Sequence, residues 1–149
     1  MRLLIGEDAR IGRYVADHAP LERPVWAGGF TGFGILRSDG ELVAGVVFSD
    51  WHPAEKRLEF SACADDPRAF TPRIIVALGN YAFGQVNAYR VWARTSKDNH
   101  RALKFLEGVG FIREGTLAHH YGPNRHAVVL RVTPPEWQRK WGPKLLKAA

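Results

Sequence analysis

The chain has 149 residues, 46% apolar and 11% aromatic, which suits one domain with a real core and excludes a disordered segment. Its longest apolar runs, Leu42–Phe48 and Ile74–Leu78, are too short to span a bilayer, and Met1–Ile5 runs into a Gly-Glu-Asp turn unlike a signal peptide. Cys63 alone excludes an intrachain disulfide and points to a cytoplasmic setting, while 21 basic against 15 acidic residues leave +6, a balance suited to an anionic ligand.

Leu3–Ile5 reads as a short first strand. Asp8 can cap a helix whose Ile11, Tyr14, Val15 and His18 share one face, and Pro20 ends it. His18 is expected there as a half-buried helix residue and not a catalytic one. Arg23–Gly34 follows as a loop with Gly28, Gly29, Gly32 and Gly34 among Trp26, Phe30 and Phe33. It lacks a Gly-Lys-Ser/Thr ending and is no nucleotide P-loop. Phe33–Arg37, a Ser38-Asp39-Gly40 turn and Leu42–Ser49 make a hairpin. Asp50–Lys56 is a loop. Arg57–Ala64 is the next strand, with Glu59, Ser61 and Cys63 on one face and Phe60 and Ala62 on the other.

Thr71-Pro72 starts a helix to about Gln85, with Thr as cap and Ile74, Ile75, Leu78, Tyr81 and Ala82 on its core side. Gly79 inside it costs roughly 1 kcal/mol against Ala, a cost that close packing would explain. Arg90–Thr95 is a strand of alternating, β-branched and aromatic character. Ser96, Asp98 and Asn99 offer caps for a helix whose Ala102, Phe105, Leu106 and Val109 form one apolar stripe. Gly110 is a left-handed C-cap, and Phe111 and Ile112 resume as strand. His119–Pro123 is a loop and Ala127–Val132 the last long strand. Pro134–Trp137 begins a short terminal helix, and the basic tail Arg139–Ala149, with Trp141, is expected to be partly loose. Without repeats or linkers, 1–149 is one domain, a mixed sheet flanked by helices.

The string from Asn99-His100-Arg101-Ala102 to Gly110-Phe111-Ile112-Arg113-Glu114-Gly115, after Val91-Trp92-Ala93-Arg94-Thr95, resembles the second signature of the GNAT acyltransferase superfamily. The resemblance extends over roughly Glu41–Trp137. It implies an α/β (α+β) GNAT fold with a mixed, mostly antiparallel sheet splayed between its fourth and fifth strands and helices on both faces. The implied function is an acyl-CoA-dependent N-acyltransferase, with acetyl-CoA the default donor, an unidentified primary amine the acceptor and no metal. The implied chemistry is direct attack of the neutral amine on the thioester. Asn99 would lie beside the pantetheine arm of coenzyme A, with Ala102 and Phe105 lining it. On the strand before the pyrophosphate loop, Ala62, Cys63 and Ala64 are implied contacts, through a backbone N–H that polarises the carbonyl.

The superfamily's first signature, Arg/Gln-x-x-Gly-x-Gly/Ala, holds the cofactor pyrophosphate on backbone N–H groups at a helix N-terminus. Arg68-Ala69-Phe70-Thr71-Pro72-Arg73 stands in its place, with Ala69 and Thr71 where glycines are frequent. Arg68, Ala69, Phe70, Thr71 and Arg73 are therefore implied cofactor contacts, in a loop expected to bind less tightly. Many members carry a Tyr as general acid where this chain has Leu106.

Glu59 matches a Glu often found on the preceding strand and is the implied base. A surface glutamate without a catalytic role is the alternative. Cys63 reads as a small packed thiol and not a nucleophile. Arg23–Gly34 is either a flexible connection or a mobile aromatic lip over the acceptor. His119, His120 and His126 lack a partnering Cys, and adjacent histidines on an extended segment face opposite ways, so they are not expected to hold a metal. Ala44–Asp50 and His119–Pro123 resemble segments of small GNAT-like proteins common among prophage genes. That kinship keeps two alternatives open, a catalytically silent binding module of phage origin and a less favoured nucleic-acid-associated protein. A homodimer is compatible with each, and no membrane partner is expected.

Overall fold

Alternating and β-branched residues form seven strands among the described residues of the computed structural model, which covers residues 1–18, 26 and 29–148. They are β1 (Arg2–Leu4), β2 (Phe30–Leu36), β3 (Leu42–His52), β4 (Arg57–Ala64), β5 (Arg90–Ser96), β6 (Ile112–Leu117) and β7 (Ala127–Val132). The sheet order is β1-β2-β3-β4-β5-β7-β6, antiparallel throughout except for the parallel pair β4–β5. The helices are α1 (Asp8–Asp17), α2 (Pro72–Gly79), α3 (His100–Val109) and α4 (Pro134–Ala148). No helix among the described residues is long and apolar enough to cross a membrane.

The helices divide between the two faces, as expected. Ile11 and Val15 of α1 pack with Val47 against β2–β4. The opposite face carries the main core, where Ile74 and Leu78 of α2, Leu103 and Leu106 of α3, and Trp137 of α4 meet Phe48, Phe60, Val91 and Leu130. The α3 stripe includes Leu103 at 2% exposure, which the expected stripe omitted, while Ala102 and Phe105 are only half-buried.

Several expectations are corrected. Glu7, not Asp8, precedes the first helical residue of α1, and the Asp8 carboxylate accepts instead from the Gly32 N–H on β2 at 3.0 Å. β2 begins at Phe30, inside the expected glycine loop. Gly34 serves close approach there, since a Cβ would sit 2.6 Å from the Ile11 Cδ1 of α1. The helix end at Pro20 and part of the expected lip, residues 23–25, 27 and 28, lie outside the described residues.

β3 extends past Ser49 to His52 through a register break at Asp50, whose φ is 54°. The second helix changes character after Gly79, where Asn80–Gln85 widens into a π-turn with Val86 N–H donating to Tyr81 O. Gly79 is needed for packing, because a Cβ there would fall inside the Trp137 indole. The basic tail is not loose at its start. α4 runs on to Ala148, and Trp141 is 4% exposed and donates from Nε1 to the Val109 carbonyl at 2.6 Å.

Candidate active site

β4 and β5 pair at three positions only, Arg57 with Arg90, Leu58 with Val91 and Glu59 with Trp92, and then part. The parting leaves one side of β4 open. Asp65 N–H donates to Val43 O on β3, so strand alternation turns the backbone groups of Cys63, Ser61 and Glu59 toward β3. Those of Phe60, Ala62 and Ala64 point into the gap. Two helix N-termini follow these strands directly. α2 starts eight residues after β4 ends at Ala64 and α3 four residues after β5 ends at Ser96, so both positive helix ends lie at the open end of the split.

The loop into α2 is built by its own hydrogen bonds. Arg68 donates from its N–H, Nε and Nη2 to the Asp66 carboxylate at 3.0–3.2 Å, holding Asp66 below the usual carboxylate range. Ala69 N–H donates to Asp66 O and Thr71 N–H to Ala69 O, while Thr71 Oγ1 caps the Ile74 N–H at 3.3 Å. Ala69 is fully buried. Among the described residues, the N–H groups of Phe70 and Arg73 remain without a protein acceptor. The Arg68 side chain is 82% exposed in spite of its pairing.

Across the gap, Asn99 Oδ1 caps α3 by accepting from Ala102 N–H at 3.1 Å. Phe105 meets Phe70 with ring centroids 4.7 Å apart, so an aromatic pair joins the two helix entrances. Leu106 is 6% exposed and belongs to the core. The structure thus gathers Phe70, Thr71, Arg73, Asn99, Ala102 and Phe105 around one opening, with Ala62 and Ala64 along its β4 edge.

The opposite side of the sheet carries Glu59, 19% exposed, with Arg94 Nε at 3.9 Å. Trp92, its neighbour across the short parallel pair, holds a buried Nε1 without a hydrogen-bond partner among the described residues. Cys63 faces α1 on this side, and burial pushes its thiol up to about 12, so it is not a thiolate at neutral pH.

Sequence reasoning missed a cluster at the end of β4. Tyr14 Oη donates to Asp65 Oδ2 at 2.6 Å, and His18 Nε2 lies 2.9 Å from Asp65 Oδ1. His18 Nδ1 faces the Tyr14 carbonyl at 2.7 Å, so both ring nitrogens meet acceptors and the imidazolium suits the site. Burial pulls His18 down, but the Tyr14 carbonyl and Asp65 outweigh it and the net direction is up. Tyr14 and His18, four apart on a helix, signal a shared face. Nothing in the sequence pairs them with Asp65.

The loop between β6 and β7 meets the open end of the split, since Lys97 N–H donates to His126 O. His126 Nδ1 accepts from His119 N–H and His119 Nδ1 from Asn124 N–H, each at 2.9 Å. Each bond occupies the Nδ1 lone pair of its ring. No grouping of His, Cys, Asp and Glu able to hold a metal occurs among the described residues.

No protein-family model matches this chain, and no curated protein matches it in sequence. Its fold does match solved structures. SpeG spermidine/spermine N-acetyltransferase from Vibrio cholerae, in complex with manganese ions, superposes with a TM-score of 0.73 at 14% identity over 93% of this chain and 95% of that one. A dodecameric structure of the V. cholerae spermidine N-acetyltransferase in an intermediate state gives 0.75 at 14% identity, covering 93% and 96%. A point mutant of that enzyme reaches 0.77 at 13% identity, with the same coverage. The architecture is the GNAT fold, with its sheet split at the parallel β4–β5 pair.

Proposed function

We propose that this chain, over 1–149, is an acyl-CoA-dependent N-acyltransferase, in the first instance an N-acetyltransferase acting on a primary amine. The observation that carries the reading is the parting of β4 from β5 after three paired positions, with two helix N-termini at its open end. That the neighbours sharing this fold are spermidine N-acetyltransferases supports an amine acceptor.

Acyl-CoA supplies the activated acyl group as a thioester. In this reading the free N–H groups of Phe70 and Arg73 and the exposed cations of Arg68 and Arg73 hold the pyrophosphate. Asn99, Ala102 and Phe105 border the pantetheine arm. The backbone N–H groups of Ala62 and Ala64 supply the donor that polarises the thioester carbonyl. Glu59 removes a proton from the acceptor ammonium, directly or through water, and Arg94 at 3.9 Å helps orient its carboxylate. The amine nitrogen then bonds the carbonyl carbon as the carbon–sulfur bond breaks. With Leu106 in the core, the thiolate takes its proton from solvent or from the acceptor side.

Three finer points belong to the same proposal. The sole cysteine supports a reducing, cytoplasmic setting. Ala44–Asp50 and His119–Pro123 support kinship with proteins of prophage origin. The outer edge of β6, unpaired among the described residues, supports self-association to a homodimer.

A second reading, a silent module of the same fold, draws on the self-paired Asp66–Thr71 loop, which offers fewer donors than a glycine-rich one. Calorimetry with acetyl-CoA and desulfo-CoA decides between them. Binding that falls at least tenfold in Arg68→Glu supports the enzyme, because a charge-assisted contact contributes about 1.5–3 kcal/mol. No binding at millimolar acetyl-CoA establishes the silent module. Binding indifferent to Arg68→Glu moves the cofactor away from this loop.

A further inference from the structure

Leu58 and Phe60 of β4 and Val91 and Ala93 of β5 point into the main core, so alternation turns Glu59 and Arg94 to the other face of the sheet. Among the described helices only α1 packs on that face, against β2–β4. Glu59 and Arg94 therefore keep side-chain exposures of 19% and 35%, within reach of a solute. The guanidiniums around them are closely matched. Arg57 pairs with Glu55, Arg90 donates to Glu114 at 2.8 Å, and Arg131 lies 3.3 Å from Glu136. Arg94 is held more loosely. Its Cζ stands over the Trp92 ring, 5.9 Å from the centroid, and its Nε is 3.9 Å from the Glu59 carboxylate, beyond hydrogen-bond reach. No other carboxylate of the described residues lies within ion-pair distance of it.

We propose that Glu59 and Arg94 together select an acceptor with a carboxylate beside its amine, so that the substrate is a free α-amino acid and not a polyamine. The inference rests on the acyltransferase reading above, with Glu59 as the base. An ammonium drawn to Glu59 also meets the Arg94 cation, and for a polyamine that repulsion offsets part of the attraction. An α-amino acid carries its ammonium and carboxylate on one carbon, so it presents two opposite charges at similarly close spacing. Its ammonium donates to Glu59 while its carboxylate accepts from Arg94, and both bonds are charge-assisted. The planar guanidinium fits a carboxylate with two parallel N–H groups, which a lysine could not do. Arg94 takes no part in the bond changes. The amine nitrogen bonds the thioester carbon, the carbon–sulfur bond breaks, one ammonium proton passes to Glu59 and a second to the departing thiolate or to solvent.

The test is acetyl transfer by the intact chain, read as thiol release from acetyl-CoA. The acceptors are free α-amino acids with small, acidic, basic and aromatic side chains, their α-amides, and spermidine. For the best amino acid, KM should lie at least about tenfold below that of its amide, which keeps the amine and loses the negative charge. Arg94→Gln should erase that gap by raising KM for the acid alone, and Arg94→Lys should keep part of it. Unchanged acetyl-CoA affinity in calorimetry shows that both variants fold, and should one misfold the native panel decides alone. Amides or spermidine accepted as well as the acids would overturn the inference and leave the acyltransferase reading in place. So would bound acetyl-CoA with no amino acid accepted. Failure of acetyl-CoA itself to bind would remove both. Retention of the full gap in Arg94→Gln would place the carboxylate on another residue and sink the proposal.

Discussion

At Gly79 the absence of a side chain makes room for the indole of Trp137, and at Asn99 a single carboxamide closes the first turn of α3. Gly79→Ala should force the indole out of its site and cost about 1–3 kcal/mol, read as a lowered midpoint in thermal unfolding. Gly84→Ala is the control, because nothing stands within 4 Å of a Cβ there, and its midpoint should stay level or rise. Equal losses in the two variants would discredit the packing account. Asn99→Ala should cost about 1 kcal/mol through the lost cap, and Asn99→Asp should restore most of it. If Asn99 also borders the pantetheine arm, Asn99→Asp should recover stability without recovering acetyl-CoA affinity. Parallel recovery of both would reduce Asn99 to a cap.

Between elements, the Tyr14–Asp65–His18 cluster ties the end of α1 to the end of β4. Asp65 lies below the usual carboxylate range, first through the hydrogen bond from Tyr14 and then through His18. Its contribution to stability is present above the unfolded carboxylate value and disappears as pH falls through the folded one. His18 is shifted up, so its contribution is complete below about pH 6.5 and is lost as pH rises through its folded value. Asp17 adds to that upward direction from the same helix. The cluster therefore stabilises most in mildly acidic solution. Asp65 is 57% exposed, and solvent screening keeps the ion pair below about 1 kcal/mol. The difference in unfolding midpoint between the native chain and His18→Gln should peak near pH 6 and vanish in alkali. A difference constant from pH 5 to pH 9 would show that the imidazolium contributes nothing.

Over the whole molecule, α4 completes the core that α2 and α3 begin. Trp137 and Trp141 are 6% and 4% exposed, and the Trp141 indole donates to Val109 O in the last turn of α3. Trp141→Ala should cost about 3–5 kcal/mol, since it opens a cavity and leaves that carbonyl without its donor. Trp141→Phe should recover the packing part alone. Denaturant unfolding checks both, and a loss under 1 kcal/mol for Trp141→Ala would mean the tail is dispensable. The split depends on the same core, because Val109 lies on α3 one turn from the Phe105–Phe70 contact at its entrance.

Local chemistry determined much of this molecule. Thr71-Pro72 and Asn99 mark helix starts through side-chain oxygens that reach N–H groups three residues on, and Gly110 ends α3 with a φ of 124°. The alternation in Arg57–Ala64 assigned Glu59 and Cys63 to one face and Phe60 to the other before any packing was considered. Such features act within a few residues of themselves, so a linear reading reaches them. What only the tertiary structure decided depends on residues far apart in the chain. Asp66 claims the Arg68 guanidinium and the N–H groups of Arg68 and Ala69, which composition alone leaves available for a phosphate. The Tyr14–Asp65 contact spans 51 positions and the Trp141–Val109 bond 32. Trp141 reads as tail by its basic neighbours, and it is core because α3 and α4 close on the same face of the sheet. The opening between β4 and β5 was expected only through the resemblance carried by Asn99–Gly115, and no residue of the two strands announces it. It exists because the sheet pairs these strands at Arg57–Glu59 and then sends each into a different helix.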